Sequence, residues 1–333
     1  QLQRHLESTG SLPAEQHGYR RFHSCETAIA HILSAVGAAR NRGETTLVAS
    51  FDASGAFDGL SHEILLQKLE RSAGVRGAAL RLIASFLNDR RFRVRLPGGR
   101  ISQWAALTTG TPQGAGWSPT LWAVAIADLP VFISGEVVIL ADDVNCIVSD
   151  RDPKRAQEKM NEVMRQLSEY MHSNRILPAA EKTQLLLVPA GRQKSEGEKA
   201  VVCEMEGEAV SPTPTVNVLG AIIDEQLTGE PQAAAAACKA NGALHQIARH
   251  ISPLALRDRA KHIQACVLPQ LDIYQNALAG GSRRAQNTLE QVYNRAARVA
   301  RWGCYALTPA ARGVVMEAGC NTADEGPTPP QVP

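Results

Sequence analysis

An α+β chain is what the sequence predicts, and three observations carry that reading. A β-favouring apolar run from Val137 to Val148 is interrupted by Asp142 and Asp143, the pattern of a strand–turn–strand tip. A second apolar stretch, Thr45 to Phe51, reads as a buried strand that ends on another acid, Asp52. From Gln226 onward the composition shifts to alanine-rich helix formers, which marks a separate helical unit.

With 333 residues, the chain is long enough for two or three compact units. A net charge of +2 says little about nucleic acid, so any basic surface has to be local. Seven cysteines without a C-x-x-C pair argue for reduced thiols and against zinc or a disulfide framework. No apolar run approaches the roughly 20 residues of a membrane span, and no signal pattern opens the chain. The expectation is an intracellular protein with no membrane partner, and the missing initial Met suggests a fragment of a longer one.

In chain order, Gln16 to Ser24 is a basic, aromatic loop in which Arg20 and Arg21 are either solvated or candidate phosphate contacts. Ser24 caps a helix with Ala28, Ile29, Ile32, Leu33 and Val36 on one face, stopped at Asn41-Arg42-Gly43. After Asp52 the chain turns through Ala56-Phe57-Asp58, where Asp58 fits a cap, before a helix opened near Ser61. Arg90 to Leu96 alternates basic and apolar residues, so a strand sets Phe92, Val94 and Leu96 on the core. Arg91, Arg93 and Arg95 then form a basic stripe, either solvated or tracking a phosphate backbone. Pro97-Gly98-Gly99 turns this strand into a hairpin returning through Ile101.

Thr108 to Pro119 is a glycine-rich loop where Gln113 suits a base edge or sugar and glycines such as Gly114 admit a ligand to the backbone. Ser118-Pro119 is a cap and first turn for a helix from Thr120 to Asp128. Pro153 to Ser173 is an amphipathic helix with Met160, Met164 and Met171 in the core. Pro189 to Lys199 reads as a surface loop, followed by a hairpin around Gly207 and a strand from Val216 to Asp224. Helices are expected over Pro231–His250, Leu254–Val267 and Arg283–Arg301, and residues 313–333 are expected to be a disordered tail.

Adjacent carboxylates repel by about 4 kcal/mol at 4 Å in an effective dielectric of 20. A divalent cation relieves that repulsion, and Mg²⁺ takes one or two carboxylates alongside water and substrate phosphate. A solvated turn accommodates the same pair without a metal.

In this order the stretches resemble the reverse transcriptase domain, most closely that of LINE-type (non-LTR) retrotransposons. Gln16-His17-Gly18-Tyr19-Arg20 with His23-Ser24 is similar to the fingers segment, and Phe51-Asp52 through Ala56-Phe57-Asp58 to the first catalytic motif. Gly110-Thr111-Pro112-Gln113-Gly114 with Ser118-Pro119 and Asp128-Leu129-Pro130 resembles the second, and Ala141-Asp142-Asp143 the third. Glu181-Lys182-Thr183 resembles the fourth and Val218 to Asp224 the fifth. The chain departs from the pattern at Leu140, where the family has an aromatic, and at Pro178, where it has Asn.

The resemblance implies a right-hand polymerase with partial fingers, an antiparallel-sheet palm within residues 1–225 and a helical thumb over 226–312. It implies that Asp52, Asp142 and Asp143 bind two Mg²⁺ ions, or Mn²⁺, and that Lys182 stands by the pyrophosphate. Phe57 is then the steric gate against the ribose 2′-hydroxyl. Gln113 and Gly114 meet the nascent pair, Arg20 and Arg21 the triphosphate, and Leu219-Gly220 forms the primer grip. RNA template, DNA primer or target, dNTPs and further domains of a longer polyprotein are the implied partners, with action on DNA in the nucleus. An inactive, RNA-binding reverse-transcriptase-like protein is the alternative, and an RNA-dependent RNA polymerase a further one.

Overall fold

The computed structural model describes residues 1–54, 56–112, 114–272 and 281–302, with the side chains of residues 52–54 and 56 outside that description. The expected tail over 313–333 lies outside the described residues. The described residues fall into two compact units, one of Gln1–Gln232 and one that starts at Ala233.

The first unit is built on the strand Thr45–Ser54. It pairs antiparallel with Asp143–Asp150 on one side, Thr45 opposite Asp150 and Asp52 opposite Asp143. On the other side it pairs antiparallel with Gln184–Val188. Glu136–Leu140 closes one edge as the hairpin partner of Asp143–Asp150, and Pro212–Thr213 lies parallel at the other edge. Leu177–Pro178 pairs with Ala53–Ser54.

Side-chain alternation divides this sheet between two apolar layers. Leu47, Ala49, Phe51, Val137, Ile139, Val144, Cys146, Leu185 and Leu187 pack with the helix Pro153–Ser173, whose Met160, Val163, Met164 and Leu167 are fully buried. Val48, Val138, Ile147, Leu186 and Val188 pack with Ile29, Ile32 and Val36 of the helix Cys25–Asn41. Burial on both faces explains why these strands read as continuous apolar runs.

Ser24 starts the Cys25–Asn41 helix through a capping box with Thr27, and Gly43 follows its end at φ 72°. Ser61 caps His62–Arg71, while Asp58 sits within the turn Ala56–Gly59 rather than at a cap. The Val216–Asp224 stretch is a hairpin, Thr215–Val218 with Ala221–Asp224, and both turn residues, Leu219 and Gly220, have positive φ. That is the type I′ pattern, whose twist matches paired strands.

Three further expectations change. The Arg90–Leu96 strand shrinks to Arg91–Phe92, paired with Ala105–Ala106, and Phe92, Val94 and Leu96 are 46, 49 and 45% exposed instead of core. The hairpin itself forms, with Leu96 N–H donating to Arg100 O and Ser102 N–H to Val94 O. No layer covers its apolar side among the described residues, so alternation alone gave the wrong environment. Ser118 does not cap its helix, which runs Ser118–Ala125; its hydroxyl donates to Pro112 O at 2.6 Å and closes the glycine-rich loop instead. Pro189–Lys199 is not merely a surface loop, because Glu198 turns inward from a short helix, Glu196–Lys199, to accept a hydrogen bond from the Thr45 hydroxyl at 2.6 Å.

The second unit packs Leu244, Ala248 and Ile251 of Glu230–Ile251 with Ile263 of Leu256–Cys266 and Val292, Ala296 and Val299 of Arg283–Trp302. These are the three helices read from the sequence. No helix among the described residues is long and apolar enough to cross a membrane.

Candidate active site

The Asp142-Asp143 tip is a two-residue connection, since Leu140 pairs with Asp143 and only Ala141 and Asp142 lie between. Ala141 has φ 58°, a region where a Cβ costs of order 1–3 kcal/mol. Three contacts hold it there. The buried Trp122 donates its indole N–H to Ala141 O at 2.7 Å. Gly18 lies so close that a Cβ would meet Ala141 N at 2.4 Å. The preceding residue anchors the same segment to the hairpin edge, with His17 N–H donating to Ile139 O and Ile139 N–H to Glu15 O, at 2.7 and 2.9 Å.

That fingers segment brings Tyr19 beside the tip: burial, together with the nearby Asp142 carboxylate, raises the phenol pKa above its usual value. His17 is pushed down to about 4, first by burial and then by His23, His31 and Arg20. It is hydrogen-bonded to the Thr27 hydroxyl at 2.8 Å and lies 3.4 Å from His31, which in turn meets Glu136 at 2.9 Å.

Asp143 opens into a polar cavity of about 460 Å³ lined also by Ser50, Lys182, Asn217, Leu219 and Gly220. One cavity therefore gathers residues of the third, fourth and fifth motifs. The backbone of Asp52 is the register partner of Asp143, so the first motif reaches the same sheet end. The side chain of Asp52 lies outside the described set. Among the described residues, no group of three or more His, Cys, Asp or Glu is placed to hold a metal ion, and that set excludes the Asp52 carboxylate.

The first and second motifs are stitched together. Thr111 N–H donates to Phe57 O and Gly110 N–H to Leu60 O, at 2.9 and 2.7 Å. His62 Nε2 donates to Gly110 O at 2.7 Å. A Cβ on Gly110 would meet the Asp58 backbone at 2.8 Å, which together with φ 82° explains the glycine. Phe57 packs on Trp122 with ring centroids 5.3 Å apart. Gly114 has φ 85° and open space around it, and Gln113 lies outside the described residues.

Other expected residues stand apart from the cavity. The Arg20 guanidinium donates to the carbonyls of Pro13 and Gln16, and that of Arg21 lies over Phe22 at 4.7 Å. Arg91, Arg93 and Arg95 lie on the exposed hairpin. Sequence reasoning missed Trp122, Ser50, Tyr19 and Asn217. Trp122 had one signal, because a buried indole N–H needs an acceptor. Ser50 had another, standing two residues before Asp52 on the same strand.

An antiparallel sheet whose central strand, acidic hairpin and neighbouring turn converge on one polar cavity is the arrangement expected of a polymerase palm. Residues 1–223 match the family described as "Reverse transcriptase (RNA-dependent DNA polymerase)", and the chain belongs to that family. The chain is 26% identical over 230 residues to the RNA-directed DNA polymerase from mobile element jockey of Drosophila funebris, covering 67% of this chain and 24% of that protein. Its counterpart from Drosophila melanogaster is 25% identical over 182 residues, 52% of this chain and 20% of that one. The chain thus spans about a quarter or less of the length of these relatives. Among solved structures it is similar to telomerase from Candida albicans in complex with a fragment of telomeric RNA (14% identity, TM-score 0.45, covering 97% of this chain and 56% of that one). Apo telomerase from Candida tropicalis gives 13% and 0.45, covering 96% and 58%.

Proposed function

We propose that this chain is the RNA-directed DNA polymerase part of a non-LTR mobile element, extending a primer 3′-end on an RNA template. The observation that carries the reading is the single cavity shared by Asp143, Lys182, Leu219 and Gly220, at the sheet end where Asp52 and Asp143 are paired. The 3′-oxygen of the primer bonds to the α-phosphorus of a dNTP, the α–β phosphoanhydride bond breaks, and pyrophosphate leaves as the hydroxyl proton is lost.

Asp52, Asp142 and Asp143 offer oxygen donors only, and Asp143 lines the cavity, a donor chemistry that fits hard divalent cations. These three carboxylates would hold the two Mg²⁺ ions, which when bound would supply positive charge for the attacking and leaving oxygens. Lys182 directs positive charge at the pyrophosphate, and Leu219-Gly220 supports the primer end. Phe57, braced by Trp122, excludes a 2′-hydroxyl. Gln113 and Gly114 meet the nascent pair, Arg21 is the candidate contact for the triphosphate, and the helices beyond Ala233 serve as the thumb. DNA targets place the action in the nucleus, within a longer polyprotein.

Primer extension by the purified chain on poly(A)/oligo(dT), with Mg²⁺ and with chelator, tests the reading. Metal-dependent incorporation of dTMP is the expected result. Binding of the template with no incorporation would leave an inactive RNA-binding relative, and preference for UTP would make it an RNA-dependent RNA polymerase.

A further inference from the structure

From Arg90 to Ala127 the chain has no acidic residue and five arginines: Arg90, Arg91, Arg93, Arg95 and Arg100. A net charge of +2 hides this one-sided segment, which creates a local positive potential. Among the described residues, Arg91, Arg93, Arg95 and Arg100 have no carboxylate at ion-pair distance. Among the described residues that charge is therefore uncompensated.

The hairpin geometry adds an aromatic to that charge. Arg91 pairs with Ala106 and Phe92 with Ala105, and the next step of the register sets Arg93 across from Trp104. The Arg93 guanidinium lies 4.6 Å from the Trp104 ring centroid, and Trp104 is 59% exposed. Alternation sets Arg91 with Arg93 on the face of Trp104, and Arg95 follows them in the exposed hairpin, bridged to Ile101 one residue out of that register. An indole extended by a guanidinium plane and flanked by free arginines combines the two elements that hold single strands: a stacking platform and a phosphate track.

We infer that this hairpin binds single-stranded nucleic acid, with Trp104 stacked on a base and Arg91, Arg93 and Arg95 on neighbouring phosphates. A duplex is the poorer occupant, because its bases are already stacked and offer no free face to the indole. The site does not line the cavity of Asp143, so it operates whether or not that cavity is catalytically competent.

Fluorescence anisotropy of the full chain with labelled oligo(U), oligo(dT) and a duplex control, in chelator without dNTP, tests the inference apart from polymerase activity. Trp104→Ala is expected to weaken single-strand binding about 5- to 150-fold, the usual range for one stacked base. Duplex binding should change little. Replacing Arg91, Arg93 and Arg95 together by Ala should lower the slope of log affinity against log salt by about 2, at roughly 0.7 per lost phosphate contact. Oligo(U) should also quench tryptophan emission in the wild type, and the quench should be mostly lost in Trp104→Phe, a variant that keeps a ring in the hairpin. Unchanged single-strand affinity and quenching in these variants would overturn the inference and leave the hairpin to a protein partner. Equal losses on single strand and duplex would overturn it as well, by removing the stacked base.

Discussion

Ala141 is the residue on which the acidic tip turns. Its positive φ would favour glycine, and the chain keeps an alanine there because its carbonyl is tied to Trp122 and its amide faces Gly18. Trp122→Phe keeps the ring under Phe57 but removes the donor. It is expected to cost about 1 kcal/mol of stability, the net value of one hydrogen bond. If the donor also fixes the tip for chemistry, kcat falls about 2- to 12-fold with KM little changed. An unchanged kcat in folded protein would restrict Trp122 to packing. Phe57→Ala should lower the ratio of kcat/KM for dNTP over rNTP at least about tenfold, or ~1.4 kcal/mol, in single-nucleotide extension. Because Phe57 is only half-buried, its stability cost should stay below the roughly 3–5 kcal/mol of a fully buried ring. A proportional loss on both nucleotides would remove it from sugar selection.

Between elements, the fingers segment joins the acidic hairpin through close backbone approach. Gly18→Ala introduces a Cβ 2.4 Å from Ala141 N, so the segment has to separate from the hairpin edge, and both melting temperature and extension should fall. His17 adds a pH dependence. Its folded-state pKa of about 4 lies below the unfolded value of 6.5, so between these values the unfolded chain binds a proton that the folded chain does not. Its contribution to stability is present above about pH 6.5 and lost as pH falls toward 4. The urea midpoint should therefore drop over that window, and His17→Gln should flatten the drop; an identical pH profile in the variant would contradict this.

Elements whose signals are local were legible in the sequence. The Ser24 cap, the methionine face of Pro153–Ser173 and the Asp142-Asp143 tip stand where spacing put them, whereas the strand read as ending on Asp52 runs on to Ser54. Elements that depend on what covers them were not. Phe92, Val94 and Leu96 alternate like a core strand, yet their environment is set by neighbours far away in the chain. Ser118 reads as a cap because Pro119 follows it, but the Pro112 carbonyl is the acceptor that its hydroxyl finds. Asn217 joins the cavity from a separate hairpin, its N–H donating to Gln184 Oε1, and no spacing rule reveals that.

At the scale of the molecule, composition shifts at Gln226, and the described residues divide into two units at Ala233, inside the long helix Glu230–Ile251. The helical unit was legible because its alanine-rich helices bury regular stripes, Leu244, Ala248 and Ile251 among them. Nucleotidyl transfer at Asp52, Asp142 and Asp143 is the proposal that family membership over residues 1–223 and the convergence of three motifs on one cavity support. Its most direct test is primer extension on poly(A)/oligo(dT) by wild type and Asp142→Asn, which removes a ligating charge with little change of shape. The variant's extension rate is expected to be at least about 10²-fold lower, or ~2.7 kcal/mol. Stability in chelator should be equal or higher, because repulsion between the acids is relieved. Equal extension by the two proteins would contradict it.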